Sequence, residues 1–285
     1  MCIRDSPNHA LLWEFNKIAD IDPALAEKFD AACESISRYR TALVAYSGGT
    51  DSSLLAYLSS RLLDRCLCVL WDSWLVQRSD INAAKGFANE HDLELMILDY
   101  EVLDYASFQK NARDRCFICK NRLLEALNEI KDRQGLDVVF EGSNTDDLED
   151  FRPGRKAVEQ NKVKSPLMDA GLSKDDIRRI SKYLGLETWD RPQNACLASR
   201  VPWGTDITVD MLATIEKAEE IVKAQGYRLV RVRHHGDLAK IEIGKDEDID
   251  KETFRLIESK IKGLGFKYVV LDMEGYRTGS LNEPG

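Results

Sequence analysis

Residues 41–63 read TALVAYSGGTDSSLLAYLSSRLL. An apolar strand over 42–46 runs into Ser47-Gly48-Gly49-Thr50-Asp51-Ser52 and straight on into a helix over 52–63. A strand that passes through glycines into a helix N-terminus makes an anion site, because free backbone N–H groups point outward and the helix dipole adds positive potential. Gly48 and Gly49 let the backbone approach a phosphate with no Cβ in the way. Ser47, Ser52 and Ser53 offer hydroxyl donors. Asp51 does not favour phosphate directly, so its place in the loop is read as a contact made through Mg²⁺. The Lys-Ser/Thr ending of a Walker A loop is absent, and the chain has no G-x-G-x-x-G.

Working outward from this junction, strand and helix signals alternate. Strands are expected over 66–71, 93–98 and 138–141, with helices over 81–91, 119–134 and 173–184. The last helix opens on a capping box of Ser173 and Asp176. Residues 9–40 read as helix interrupted at Asp22-Pro23. Short continuous apolar strands alternating with helices imply an α/β fold with a doubly wound parallel sheet. After residue 206 the rhythm changes to helix, strand, strand, helix, strand. There a helix over 207–225 carries Met211, Ile215, Ala218 and Val222 on one face, and strands over 227–233 and 238–244 form a hairpin about residues 234–237. This order is a smaller C-terminal α+β module. The expected division is therefore a nucleotide-binding domain over 1–205 and an α+β domain for substrate binding and oligomerisation over 206–285.

Composition narrows the class. The chain has 285 residues, 44% of them apolar, which is enough for a core of one large or two ordinary domains. The net charge of −9 argues against a large nucleic-acid footprint while leaving room for a local basic pocket. No apolar run approaches membrane-spanning length, and the N-terminus shows no signal-peptide pattern, so a cytoplasmic protein with no membrane partner is expected. "MCIRDS" (1–6) fits no structural pattern and is read as a leader or artefact. Seven cysteines, an odd number in a chain of this size, also point to a reducing compartment.

Two of those cysteines, Cys116 and Cys119 in "RCFICK", stand just before an expected helix. Thiolates at that spacing can reach one metal or one cluster, or form a redox disulfide. A third, Cys196 in "NACLASRVPWGTDIT", lies in a Pro-flanked loop where an accessible thiol is expected. Cys2, Cys33, Cys66 and Cys68 read as leader or core positions. The four histidines do not fall at zinc-finger spacing. Three cysteines leave one iron of a four-iron cluster open, which suits holding a transferable sulfide.

The loop from Ser47 to Ser52 resembles the PP-loop of the ATP pyrophosphatase superfamily, whose members cut ATP between its α and β phosphates and adenylate a substrate oxygen. "GSNTDDLEDFRPGR" (142–155) and "SPLMDAGLSKDDIRRISKYLGL" (165–186) resemble the segments that follow that loop, and place Asn144, Asp146 and Asp147 at the nucleotide site. Together with "RCFICKNRL" and "ACLASRVPWG", these motifs are similar to the LarE family from about residue 30 to the end. Members are ATP-dependent sulfur transferases, pyridinium-3,5-bisthiocarboxylic acid mononucleotide synthases, that help make the nickel-pincer nucleotide of lactate racemase. One variant of the family sacrifices the sulfur of the cysteine matching Cys196. The other holds a [4Fe-4S] cluster on three cysteines, matched here by Cys116, Cys119 and Cys196.

The resemblance implies ATP, Mg²⁺ and the cluster as cofactors, a nucleotide-like carboxylate as substrate, a sulfide donor, and a homo-oligomer, in the family a hexamer. Lys120 beside the cysteine pair and Arg200 after Cys196 are expected to neutralise developing charge. Arg231 and Arg233 share one side of a strand, and the resemblance assigns them to the substrate phosphate. It also implies that Glu219, Glu242 and Asp250 bind a cation near a subunit interface. Two features depart from the family: "WDSWLVQRSD" (71–80) where the adenine contacts are expected, and the leading helix over 9–30. Three other readings use part of the pattern. They are a PP-loop tRNA thiolase with an iron–sulfur cluster, an ammonia-using adenylating ligase such as NAD synthetase, and a nucleotide-binding regulator without chemistry.

Overall fold

A computed structural model describes residues 22–148, 153–192 and 194–277. The expected helix over 9–21, and residues 149–152 of the Asn-Asp-Asp segment, lie outside the described residues. Within them the chain forms two compact units. One comprises 22–72, 78–100 and 116–192. The other comprises 73–77, 101–115 and 194–277, so it takes two upstream segments along with the C-terminal region.

The first unit opens with α1 (Pro23–Ser37), whose N-cap Asp22 accepts the Leu25 N–H and whose first turn holds Pro23, so the Asp-Pro pair that punctuates the sequence is the helix start. It continues with β1 (Thr41–Tyr46), α2 (Thr50–Leu62), β2 (Arg65–Asp72), α3 (Arg78–Glu90) and β3 (Glu94–Asp99). After α4 (Ala106–Gln109), a single turn in the second unit, come α5 (Arg115–Gln134), β4 (Val138–Phe140), α6 (Pro153–Gln160), α7 (Pro166–Asp169) and α8 (Lys174–Tyr183). The four strands are parallel in the order β3-β2-β1-β4. Period two sorts their side chains. Leu43, Leu67, Val69 and Val139 pack with Leu124 and Leu127 of α5 on one face. On the other, Tyr46 meets Phe87 of α3 and donates its hydroxyl to the Ala84 carbonyl. Helices thus cover both faces of β1 and β2, as the doubly wound reading requires. The edge strand β3 is the exception: Glu94, Ile97 and Asp99 are exposed.

Sequence order moves outward from β1 through β2 to β3, then returns to add β4 on the opposite side of β1. The gap between the carboxyl ends of β1 and β4 is therefore the topological switch point, where open α/β sheets bind ligands.

The second unit follows the expected helix–strand–strand–helix–strand order: α9 (Val209–Lys223), β5 (Val230–His235), β6 (Leu238–Ile243), α10 (Lys251–Lys262) and β7 (Tyr268–Leu271). The sheet order is β5-β6-β7, with β5 and β6 antiparallel and β6 and β7 parallel. The hairpin turns on Gly236 and Asp237 alone, Gly236 taking a φ of +63°, so β5 reaches two residues further than the hydropathy pattern suggests, while β6 begins where expected. Val230, Val232, Ile241 and Ile243 join Ala218, Val222, Ile257 and Ile261 in one apolar core.

Candidate active site

The switch-point cleft of the first unit is lined by Ser47, Gly49, Asp51 and Ser52 from the β1–α2 junction, by Lys120, Leu123 and Leu124 of α5, and by Glu141, Gly142, Ser143 and Asp147 after β4. Local chemistry shapes the loop. Gly48 has a φ of +73°, and a Cβ there would sit 2.5 Å from the Cβ of Ala84, so only glycine fits. Gly49 is the N-cap of α2 and caps it without a side chain, which leaves the first turn open to an anion. Ser47 and Ser52 hydroxyls lie 2.9 Å apart, and Ser52 also donates to the Gly49 carbonyl. Arg191 donates to the Gly48 carbonyl at 2.5 Å, and Thr50 to the Thr188 carbonyl at 2.8 Å.

Asp51 projects from the first turn of α2. Lys174 donates to its Oδ2 at 2.5 Å and Asn144 at 3.4 Å, while Oδ1 is buried with no hydrogen-bond partner among the described residues. Burial, with the charge of Asp147 adding to it, pushes the Asp51 carboxyl above its ordinary value in spite of Lys174. A carboxylate oxygen left bare in a cleft beside Asp147 fits a hard cation such as Mg²⁺, which typically uses one or two protein carboxylates and takes its other ligands from phosphates and water. Among the described residues no group of three or more His, Cys, Asp or Glu side chains is arranged to hold a metal ion by itself. Asp146 accepts the Lys174 backbone N–H, so it braces the neighbouring helix start. Ser53 is fully buried and is not among the cleft-lining residues.

Glu141 is the buried carboxylate of the cleft. It accepts from Lys120 at 3.0 Å, from the Ser143 hydroxyl at 2.8 Å and from the Ser165 hydroxyl. Burial alone would raise its carboxyl, but the Lys120 charge and these hydrogen bonds outweigh burial and hold it below its ordinary value. Lys120 belongs to α5, which begins at Arg115 and not after the cysteine pair. Cys116 and Cys119 therefore lie on the helix itself, three residues apart on one side. Cys116 is one turn before Lys120 and Cys119 one turn before Leu123, about 6 Å along the axis from residues that line the cleft. Cys116 is exposed, Cys119 is partly exposed, and neither is in a disulfide. Such a pair fits two corners of a thiolate-bound cluster.

In the second unit Cys196 is exposed and precedes a turn of 3-10 helix, Leu197–Arg200. Beneath it Arg200 is completely buried. Its Nε and one terminal nitrogen grip both carboxylate oxygens of Glu219 at 2.8 and 3.1 Å. The other terminal nitrogen donates to the carbonyls of Ala195 (2.6 Å) and Cys196 (3.1 Å). On β5 the valines face the core while Arg231 and Arg233 are buried on the opposite side. Arg233 donates to Glu242 at 2.8 and 3.0 Å and to the Ser199 carbonyl at 2.9 Å. Arg231 lies over the Tyr276 ring, and burial, then the charge of Arg200, pushes its guanidinium below its ordinary value. Asn111, in the left-handed region at a φ of +50°, donates to the carbonyls of Val201 and Pro202 and accepts from Arg115. The residue before Cys116 thus shares a hydrogen-bonded network with the segment after Cys196. Asp250 serves as the N-cap of α10.

No protein-family model matches the chain. It is 34% identical over 245 residues to an uncharacterized protein of Synechocystis sp., spanning 85% of this chain and 91% of that one. It is 30% identical over 262 residues to the pyridinium-3,5-bisthiocarboxylic acid mononucleotide synthase of Lactiplantibacillus plantarum, spanning 91% of this chain and 95% of the relative. The chain belongs to this synthase family, the LarE family. A more distant similarity, 29% identity over 199 residues, links it to a glutamine-hydrolyzing GMP synthase chain of Thermoplasma acidophilum, covering 64% of this chain and 63% of that one. This LarE-family chain is accordingly an ATP-dependent enzyme of the PP-loop superfamily. Among its described residues no helix is long and apolar enough to cross a membrane.

In this LarE-family member the structure brings Ser47, Gly49, Asp51, Ser52, Lys120 and Asp147 into one cleft, with Asn144 bonded to Asp51. Sequence reading missed Glu141, Lys174 and Arg191. An acidic residue closing the apolar run "VVFEG" was the available signal for Glu141. Lys174 and Arg191 reach the loop from 123 and 143 residues away and carry no local signal.

Proposed function

We propose that the protein is an ATP-dependent sulfur transferase that converts a carboxylate of pyridinium-3,5-biscarboxylic acid mononucleotide to a thiocarboxylate, in the making of a nickel-pincer nucleotide cofactor. The observation that carries this reading is α5, one helix bearing both the cleft's lysine, Lys120, and two accessible thiols, Cys116 one turn before it and Cys119 next to it. A phosphate cleft alone serves any ATP user; thiols on the helix that forms one of its walls call for sulfur.

A carboxylate is a poor acyl electrophile. In the first half-reaction its oxygen attacks the α-phosphorus of ATP, the bond to the β-phosphate oxygen breaks, and pyrophosphate leaves. Backbone N–H groups at the start of α2, the Ser47 and Ser52 hydroxyls and Lys120 stabilise the charge on the phosphates, and Asp51 and Asp147 hold Mg²⁺ against them. In the second half-reaction sulfide attacks the acyl carbon, the carbon–oxygen bond to AMP breaks, and one proton is released. A [4Fe-4S] cluster, when bound by Cys116, Cys119 and Cys196, would supply that sulfide from its open iron. Arg231 and Arg233 seat the phosphate of the substrate: Arg231 is a buried cation disfavoured by its surroundings, and a phosphate dianion relieves it. Cys196 acting as the sulfur donor itself is the second reading, favoured by its exposure at a rigid turn. The protein acts as a homo-oligomer in the cytoplasm.

The test is product formation. The protein, loaded anaerobically with iron and sulfide and mixed with ATP-Mg²⁺ and the dicarboxylate nucleotide, is expected to release pyrophosphate only when the nucleotide is present and to yield a thiocarboxylate by mass. Pyrophosphate release without the nucleotide, or an amide formed from ammonia, would overturn the proposal.

A further inference from the structure

The strongest unassigned feature is the buried network centred on Glu219 of α9. Glu219 is completely buried, yet it accepts four N–H donors: Arg200 Nε (2.8 Å), Arg200 Nη2 (3.1 Å), the Val232 backbone (3.0 Å) and Gln77 Nε2 (2.5 Å). Lys223, one turn further along α9, holds Gln77 from behind by donating to its Oε1 at 2.7 Å. A carboxylate has about four lone-pair sites, so Glu219 is filled by the protein's own donors. That disagrees with the cation role implied by family resemblance, and Glu242, likewise buried, is occupied by Arg233 and Lys240.

What the filled carboxylate does is orient Arg200. Two guanidinium nitrogens are fixed by Glu219, and the planar fork then aims Nη1 at three acceptors in one turn: the carbonyl oxygens of Ala195 and Cys196 and the Ser199 hydroxyl (3.0 Å). The turn is closed further by Ser199 N–H to the Cys196 carbonyl (2.9 Å) and by Leu197 N–H to the Leu75 carbonyl (2.8 Å). The same Glu219 oxygen that takes Arg200 Nε also takes the Val232 N–H, between Arg231 and Arg233 on the edge strand β5. One buried ion pair therefore fixes both the turn that presents the Cys196 thiol and the strand that presents the two arginines.

We infer that Arg200, locked by Glu219, is a positioning residue for Cys196: it holds the backbone of the thiol-bearing turn in place for sulfur transfer and takes no part in adenylation. Arg200 touches no substrate, because its side chain is wholly buried and each of its three nitrogens is engaged by the protein. The inference rests on the sulfur-transfer reading for its turnover test, and on structure alone for its backbone test.

The experiment uses the full chain with Arg200→Lys, which keeps the charge but loses the planar fork, and Glu219→Gln as a second variant that keeps shape and accepts at one oxygen. Single-turnover mixing of the protein, loaded anaerobically with iron and sulfide, with ATP-Mg²⁺ and the dicarboxylate nucleotide measures pyrophosphate and thiocarboxylate separately. Hydrogen exchange reads the amides of 195–201. With the dicarboxylate nucleotide saturating, so that a loosened phosphate seat on β5 is not read, the expected result in either folded variant is pyrophosphate formation within twofold of wild type, thiocarboxylate formation reduced at least tenfold, and faster exchange confined to the turn and Val232. Equal losses in both half-reactions, or unchanged exchange in the turn, overturn the inference. If the wild type forms no thiocarboxylate, the sulfur-transfer reading fails instead, and the exchange arm still decides whether Arg200 holds the turn. If Arg200→Lys does not fold, Glu219→Gln supplies both measurements.

Discussion

Lys120 on α5 donates a 3.0 Å hydrogen bond to Glu141 at the end of β4, and both side chains line the switch-point cleft. The pair joins the helix that carries the cysteines to the strand beside the phosphate loop. It leaves Glu141 ionised in a buried setting and Lys120 held in the cleft wall.

Replacing Lys120 with Met removes the largest influence that opposes burial of Glu141. The wild-type carboxyl is held below its ordinary value of 4.5, so its stabilising contribution is complete above that value and is lost as pH falls through the folded value below it. At neutral pH the variant is expected to lose about 1–3 kcal/mol. The gap between wild type and variant should close as pH falls and Glu141 protonates. Urea denaturation across a pH series measures this, and a gap independent of pH would contradict the assignment.

Gly48 and Gly171 share a φ of +73° but differ in surroundings, since a Cβ at Gly48 meets Ala84 while one at Gly171 meets no atom within 4 Å. Gly171→Ala should cost only the left-handed strain, about 1–2 kcal/mol. Gly48→Ala adds an overpacking cost of about 1–3 kcal/mol and should also weaken nucleotide binding, because the loop must shift. Paired denaturation curves, with ATP titrations of the folded fraction, test both effects.

Arg233 and Glu242 form a nearly dry ion pair, with side chains 6% and 0% exposed. Arg233→Met strands the carboxylate and is expected to cost about 3–5 kcal/mol, moderated by Lys240, whereas Arg233→Met with Glu242→Leu should recover most of the loss. Neither variant should retain tight binding of the substrate's phosphate. Recovered stability together with unchanged KM for the dicarboxylate nucleotide would remove Arg233 from the phosphate seat.

The cysteine trio predicts a colour. Anaerobic reconstitution with iron and sulfide should give a brown protein with close to four irons per chain, and Cys116→Ala should reduce iron content severalfold. A colourless wild type would end the cluster version. Mass spectrometry of the Cys196 peptide after turnover would then look for the loss of H₂S that a sacrificial sulfur requires.

Much of this was legible in the chain. The β1–α2 junction could be read because every element of it is local: an apolar run, two glycines and a helix start, adjacent in sequence. The capping box of Ser173 and Asp176 was legible for the same reason. The start of α5 was not. Apolar periodicity becomes clear only from Leu123 onward, so the cysteines read as preceding the helix although nothing from Arg115 to Lys120 breaks it. The hairpin was read two residues early because His234 and His235 are polar and yet sit in β5, paired with Ala239 and Leu238. Lys174, Arg191 and Glu219 acquire their roles from partners distant in sequence, and a single chain gives no local mark of that. Arg200 was read as a cation for developing charge; its complete burial, which decides how it acts, belongs to the fold.

The central claim is that a substrate carboxylate, and not water, attacks the α-phosphorus of ATP in the cleft between Gly49 and Glu141. Labelling the carboxylate oxygens of the nucleotide substrate with ¹⁸O tests it directly. Each turnover should deliver one labelled oxygen to AMP, with unlabelled pyrophosphate released in equal amount. AMP that carries no label, or ADP in its place, would contradict the account.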